Sequence, residues 1–163
     1  MKINDYIKID PRYAESLDKS VERWERMVNY YYRGVEMKQS VLEELDTTFL
    51  SSYSGEITLT GFEAEGLCPH HFLPTHYTAT LTYVPSGNKM IGTSKAYMVF
   101  RAIVAQPLLM EDIFEEFCSE FRERVKPRCF TFEMRGKYEC NHKDGVSRDA
   151  EVVLYRNWFS KRS

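Results

Sequence analysis

The spacing of apolar side chains predicts a helix near the start of the chain. Apolar residues three and four apart form one helical face: Val21, Trp24, Met27, Val28 and Tyr31. Ser20 is a suitable N-cap for this helix and Gly34 a suitable stop, and a second, more polar helical turn is predicted over residues 37–45. We interpret residues 1–19 as an extended lead-in and residues 20–163 as one domain.

The hydrophobic period then changes from that of a helix to that of a strand. Residues 56–60 alternate, and residues 77–84 do so more clearly. In the second segment three threonines share one face, while tyrosine, alanine and leucine share the other. Turn residues at 85–88 end this strand.

Two helices and two further strands complete the predicted order. The helices cover residues 94–105 and 110–125, and Pro107 forces a break between them. The strands cover residues 128–140 and 150–159, joined by a loop. Strand pairs separated by a helix pair predict an α+β fold: a four-stranded antiparallel sheet with two helices on one face. Because such a sheet leaves aromatic surface and two edges open, we expect a homo-oligomer that closes the sheets into a barrel or ring.

Composition and charge narrow the possible partners. Of the 163 residues, 43% are hydrophobic, and the net charge of −2 makes nucleic acid an unlikely partner. No apolar run is long enough to span a bilayer, and residues 1–10 do not resemble a signal peptide, so we expect a cytoplasmic protein without a membrane anchor. Four cysteines in such a chain argue against disulfides and leave metal binding, catalysis or burial.

The segment Cys68-Pro69-His70-His71 carries the most chemical information. A thiolate and an imidazole three residues apart can reach one metal ion, and zinc prefers this mixture of sulfur and nitrogen. A catalytic zinc takes three protein ligands and leaves one position open for water. If the segment is extended, His70 points away from His71 and is available to transfer protons.

The third ligand must come from elsewhere in the chain. Cys118 lies between phenylalanines on a helix, and Cys129 begins an apolar strand, so both are interpreted as core residues. The other candidates are His76, Cys140 and His142. Among these, Cys140 and His142 are favoured, because they lie at a strand end and in a loop.

Two weaker signals lie at helix starts. Ser94 and Lys95 open a helix whose free N–H groups suit a phosphate, although the local sequence alone favours an ordinary helix start. Glu111 lies in the first turn of the next helix, where acidic residues are common; its carboxylate also suits the N–H and amino groups of a guanine edge.

Taken together, the motifs resemble the GTP cyclohydrolase I family, whose members have the tunnelling fold. The resemblance rests on residues 21–27, 68–74, 83–85 and 91–95 and on Glu111. It implies that zinc (Zn2+) is held by Cys68, His71 and Cys140, that Glu111 anchors the guanine ring, and that His70 transfers protons. It also implies a catalytic role for Ser94 and a substrate-binding role for Lys95, in a site at a subunit interface. The reaction would convert GTP and water to dihydroneopterin triphosphate and formate.

The chain departs from the family pattern at four places. Pro69 occupies the position of the signature glutamate, and Tyr138 that of a second catalytic histidine. Met98 and Asp144 stand where the family has arginines for the triphosphate. Nearby cations could compensate: Arg101, Lys143 and Arg148. We therefore carry Tyr138 as a catalytic candidate and expect a degraded triphosphate site.

Three functions follow from these observations. The first is a zinc-dependent cyclohydrolase of purine nucleotides. The second is a tunnelling-fold enzyme acting on a smaller guanine-like or 7-deazaguanine molecule, similar to the nitrile reductase of queuosine biosynthesis, in which the cysteine is a nucleophile. The third is a non-catalytic, ring-forming homologue. The combined presence of His70, Glu111 and the predicted metal ligands favours an enzyme.

Overall fold

The computed structural model describes residues 19–147 and 149–160, with the backbone alone for 32–35 and 142–144. Within these residues the chain forms three α-helices, α1 (Ser20–Leu42), α2 (Thr93–Val104) and α3 (Met110–Val125). The strands are β1 (Thr48–Leu50), β2 (Ile57–Leu67), β3 (Pro74–Val84), β4 (Lys89–Ile91), β5 (Cys129–Tyr138) and β6 (Val152–Phe159). Residues 1–18 of the predicted lead-in and Arg148 lie outside the described residues.

The main sheet has the predicted antiparallel topology. Its four strands are ordered β2-β3-β5-β6, and each pairs with its neighbour in antiparallel register. The face of β3 that carries Tyr77, Ala79, Leu81 and Tyr83 is buried, as the alternation predicted. The α+β prediction is therefore confirmed.

Helices α2 and α3 cover that buried face. Their apolar stripes meet the sheet through a cluster of phenylalanines: Phe100, Phe114, Phe117, Phe121 and Phe132. The rings of Phe117 and Phe132 stack with their centroids 4.4 Å apart. Aromatic burial on this scale is the main source of cohesion between helices and sheet.

A bulge bends the edge strand β2. The pairing between β2 and β3 shifts register between Leu59 and Phe62, and Gly61 lies at φ +76° within the shift. Glycine adopts this left-handed conformation without the steric cost that a Cβ adds. The bulge lets β2 continue to Leu67, well beyond the residues 56–60 that alternation predicted.

Several predicted boundaries were wrong. The first helix does not stop at Gly34 but continues to Leu42, followed by a 3₁₀ turn over Glu43–Asp46. Ser20 is the first helical residue rather than the cap, and no side chain caps this end. Packing overrode both local signals, because the last turn of α1 buries Leu42 against the core.

Two short elements were missed entirely. Strands β1 and β4 pair with each other in a separate two-stranded ribbon. Three-residue strands show too little alternation to be recognised from sequence. Within the described part of the chain, no helix is both long and apolar enough to cross a membrane.

Candidate metal centre

A tight loop between β2 and β3 carries the predicted metal-binding motif. The Cys68 carbonyl accepts a hydrogen bond from the Phe72 amide at 2.8 Å, and the Cys68 amide donates to the Leu73 carbonyl at 2.9 Å. Phe72 adopts a left-handed φ of +52°, which turns the chain sharply back toward β3. The motif is thus a turn, not the extended segment that the prediction about His70 assumed.

The third candidate ligand, which is the second sulfur, comes from the far end of β5. The strand ends at Tyr138, and a 3₁₀ helix over Glu139–Asp144 turns the chain so that Cys140 faces the loop. Cys140 Sγ lies 3.9 Å from Cys68 Sγ, and His71 Nδ1 lies 3.7 Å from Cys68 Sγ. All three donor atoms lie within 4.8 Å of one another.

These distances fit a tetrahedral zinc ion. Ligands at the usual Zn–S and Zn–N bond lengths place two sulfurs about 3.8 Å apart, and a sulfur and a nitrogen about 3.6 Å apart. A disulfide is excluded, because its sulfurs would lie about 2.05 Å apart, and both cysteines are free. Both thiols are buried while His71 is exposed, so the cluster is open to solvent on one side.

His70 lies beside the cluster without joining it. Its ring centroid is 6.3 Å from that of His71, and the two planes make an angle of 67°. The side chain is exposed on the turn. Such a position leaves its ring nitrogens available to a molecule that approaches the metal ligands.

Tyr138 and Glu111 belong to the same neighbourhood. Burial raises the pKa of Tyr138 above its usual value, and the charges of Glu111 and Cys68 raise it further, while the neighbouring Tyr77 opposes the shift. Glu111 lies in the first turn of α3, as predicted, with its side chain exposed. The structure therefore places thiols, imidazoles and a phenol near one another, with the Glu111 carboxylate close enough to raise the pKa of Tyr138.

Ser94 and Lys95 lie at the opposite end of the sheet. The amide of Ile91, shortly before them, donates to the Tyr83 hydroxyl at 3.2 Å, whereas the metal cluster lies next to Thr75. About eight residues of β3 separate those ends, or roughly 26 Å. Lys95 pairs there with Glu44. One protomer therefore does not bring the predicted phosphate-binding residues to the metal cluster.

The remaining cysteines and histidines are accounted for elsewhere. Cys118 is buried, and burial raises its pKa to about 12, so it is a core thiol as predicted. Cys129 is only half-buried, at the strand end remote from the cluster. His76 lies 3.6 Å from a carboxylate oxygen of each of two neighbours, Glu65 and Glu139. The side chain of His142 lies outside the described residues.

The cations considered for a triphosphate are not assembled at the cluster. Arg101 stacks over the Tyr97 ring at 5.7 Å and lines a groove of about 650 Å³ between α1, α2 and β2. Met98 lines the same groove, and no metal ligand does. The side chain of Lys143 and the whole of Arg148 lie outside the described residues.

Sequence reasoning missed two neighbours of the site. Trp24 on α1 contacts Phe72 edge-on at 5.8 Å and so covers the metal-binding loop. Tyr77 lies 6.3 Å from Tyr138, also edge-on. The alternation of β3 had placed Tyr77 on the core face, but only the pairing with β5 shows that Tyr138 is its neighbour.

The fold and the cluster together define the class of protein. A four-stranded antiparallel sheet, two helices on one face and a Cys–His–Cys cluster beside the β2–β3 loop are the features expected of a tunnelling-fold domain. The family model of GTP cyclohydrolase I matches residues 2–160. The chain therefore belongs to the GTP cyclohydrolase I family, as the sequence motifs predicted.

Two members of this family illustrate how low the sequence identity to this chain is. GTP cyclohydrolase 1 of Pyrobaculum neutrophilum is 27% identical over 102 residues, which cover 63% of this chain and 54% of that relative. GTP cyclohydrolase 1 of Bacillus subtilis is 23% identical over 147 residues, covering 90% of this chain and 76% of the relative. Among solved structures, the apo form of the archaeosine synthase QueF-Like covers 66% of this chain and 95% of its own, with 18% identity and a TM-score of 0.49.

Proposed function

We propose that the protein is a zinc-dependent cyclohydrolase that opens the five-membered ring of a guanine-type purine, with release of formate. The observation that carries the proposal is the geometry of Cys68, His71 and Cys140, whose donor atoms are spaced for one tetrahedral zinc. When bound there, zinc would supply a Lewis acid and lower the pKa of water in its open position.

The chain's own residues would bind and orient the substrate. The Glu111 carboxylate accepts the ring N–H and the exocyclic amino group of guanine, which fixes the purine edge in one orientation. The Glu111 carboxylate raises the pKa of Tyr138, which supports a position of Glu111 close to the metal cluster. Charged acceptors of this kind give strong hydrogen bonds, and they discriminate against purines that lack the amino group.

Two groups beside the cluster would move protons. His70, exposed and next to a metal ligand, donates to the purine nitrogen that must be protonated as the ring opens. Tyr138 would provide a second hydrogen-bond donor, because burial raises its pKa and keeps its phenol protonated. A protonated phenol can hold a developing negative charge without titrating near neutral pH.

The phosphate site would be completed by a neighbouring protomer. Ser94 and Lys95 lie too far from the cluster within one chain, and the outer edge strand β6 exposes Val153 and Tyr155. Pairing of edge strands between protomers would bury this surface and could bring one subunit's Lys95 to the next subunit's cluster. We therefore propose a homo-oligomer with shared sites.

A smaller substrate is the second candidate. Lys95 is ion-paired with Glu44, and Met98 adds no charge beside it, so the cationic site for a triphosphate is weak. This favours a guanine-like or 7-deazaguanine base over GTP. Attack on such a substrate by Cys68 is disfavoured, because a thiolate that binds zinc is not free to act as a nucleophile.

Turnover of GTP by zinc-loaded protein tests these alternatives. Formate release together with the fluorescence of the oxidised pterin would support the first proposal. If zinc binds stoichiometrically and neither product forms, calorimetric titration with guanine and 7-deazaguanine bases follows. Binding of a base would favour the second candidate, and failure to bind any of them would favour a non-catalytic homologue.

A further inference from the structure

Three hydroxyl groups converge on the core side of the metal cluster. Thr75 is the direct cross-strand partner of Tyr138, and Tyr77 is the partner of Gly136. Residues two apart on a strand share a face, so Thr75, Tyr77 and Tyr138 project to the same side of the sheet. The cluster of these three residues is called here the hydroxyl cluster.

Two members of the hydroxyl cluster are buried without a hydrogen bond. Thr75 is 0% exposed and Tyr77 is 1% exposed. Neither hydroxyl has a well-formed partner among the described residues. Leaving a buried hydroxyl unsatisfied is costly, and such groups in proteins usually have a functional reason or an ordered water as partner.

The position of Tyr77 depends on a close approach between strands. A Cβ on Gly136 would lie 2.8 Å from Met110 Sδ and 3.0 Å from Tyr77 Cε1. Only glycine at this position leaves room for the Tyr77 ring, which lies over it and meets the Tyr138 ring edge-on at an angle of 86°. The absence of a side chain at Gly136 therefore permits the contact between the Tyr77 and Tyr138 rings.

The chemistry of Tyr77 suits a hydrogen-bond donor. Burial raises the pKa of Tyr77 far above its usual value, and Tyr138 raises it further, so its phenol stays protonated at any physiological pH. A permanently protonated hydroxyl beside a second phenol can donate to the oxygen of that phenol. The Thr75 hydroxyl can in turn donate to Tyr77.

We propose that Tyr77 is a positioning residue for Tyr138, through a buried chain of hydrogen bonds that runs from Thr75 through Tyr77 to the Tyr138 oxygen, directly or through one ordered water. In this chain the Tyr138 oxygen is occupied as an acceptor, and its proton remains available to the molecule that Glu111 would hold. This inference rests on the proposed function for the role of Tyr138, but the hydrogen-bonded chain itself is testable without turnover.

Thermal unfolding of zinc-loaded protein tests the chain of hydrogen bonds. Tyr77→Phe keeps the ring and removes the hydroxyl, so it should lower Tm by about 2–4 °C if that hydroxyl is bonded. It should have a clearly smaller effect in the Tyr138→Phe background, because one of the two partners of the Tyr77 hydroxyl is already gone and only Thr75 remains. A Tm that rises in Tyr77→Phe, or effects that add in the double variant, would overturn the proposal.

Tyr83 provides a matched control on the same strand. It is also 1% exposed, and its hydroxyl accepts the Ile91 amide at the remote end of β3. Tyr83→Phe should lower Tm by a similar amount, but its effect should add to that of Tyr138→Phe. Additivity here and coupling at Tyr77 would separate a specific chain from a general loss of packing.

Kinetics on GTP then test the positioning role. Tyr77→Phe and Thr75→Val should each lower kcat by about tenfold with KM changed by less than about twofold, and neither should lower it further in the Tyr138→Phe background. Unchanged kcat with coupled Tm values would reject the positioning role. A wild-type protein that does not turn over GTP but keeps the coupled Tm values would reject the proposed function alone.

Discussion

The sulfur atoms of Cys68 and Cys140 lie 3.9 Å apart although 72 residues separate them in the chain. The pairing of β3 with β5 creates this proximity. Because Thr75 and Tyr138 are cross-strand partners, the loop before β3 and the turn after β5 meet at one end of the sheet. Two elements that the sequence separates widely are thereby joined into one candidate metal centre.

Substitution of Cys140 tests the ligand set. Cys140→Ser should reduce bound zinc from about one equivalent to less than a tenth, because serine is a far poorer zinc ligand than thiolate. The fold should survive, since the sheet and helices form a core independent of this turn. Zinc content by atomic emission and secondary structure by circular dichroism measure the two effects.

Cys129→Ser is the control for this variant, because Cys129 lies at the remote strand end and is only half-buried. It should retain full zinc. Full zinc in Cys140→Ser would remove Cys140 from the ligand set and make His142 the next residue to test.

Thiol reactivity should distinguish the buried core cysteine from the cluster. Burial raises the pKa of Cys118 to about 12, so this thiol stays protonated and unreactive toward a disulfide reagent at pH 8. Removal of zinc with a chelator should expose Cys68 and Cys140 to the reagent, whereas Cys118 should react only after unfolding. Rapid reaction of all four thiols in the folded, zinc-loaded protein would contradict this picture.

The same raised pKa predicts a loss of stability at alkaline pH. The folded protein favours the neutral Cys118 thiol, so its contribution is present below the unfolded pKa, near 9, and falls as the pH rises from there toward 12. Between pH 8.5 and 10.5, the Tm of Cys118→Ala should therefore fall by about one or two degrees less than the Tm of the wild type. A wild-type and a variant profile that stay parallel over this range would argue against the shift.

Glu111 should control recognition of the guanine edge. Glu111→Gln should weaken binding of a guanine ligand by about 10- to 100-fold, because the ring N–H and the amino group of guanine then lose their charged acceptor. Calorimetric titration with GTP, or with the base that binds, measures the change. Asp112→Asn, next to it in the same turn of α3, is the matched control and should alter affinity less than about twofold.

Mixing of two inactive variants tests whether sites are shared between protomers. Lys95→Ala and Cys140→Ser should each abolish turnover, and subunit exchange between them should restore up to about a quarter of wild-type activity per site. Recovery would require the two residues to come from different subunits. No recovery after verified exchange would place both residues in one chain's site and contradict their separation of roughly 26 Å along β3.

The sequence by itself determined most of the fold. Period-two alternation at 77–84 and helical stripes at 94–125 are local properties, so they predicted strands, helices and the buried face correctly. The helix end was wrong at Gly34, because glycine is only a weak stop when packing continues beyond it. Local sequence patterns were sufficient to predict the type of these elements but not their length.

For the candidate site, the sequence alone determined less than it did for the fold. Cys68 and His71 lie three residues apart, so chain geometry alone joined them, and their chemistry pointed to zinc. The 3.9 Å approach of Cys140 Sγ to Cys68 Sγ, the placement of Tyr77 beside Tyr138, and the distance of Lys95 from the cluster depend on strand register and on the path of turns. These were decided only by the tertiary structure, because register is set by contacts between residues remote in the chain, which no local pattern records.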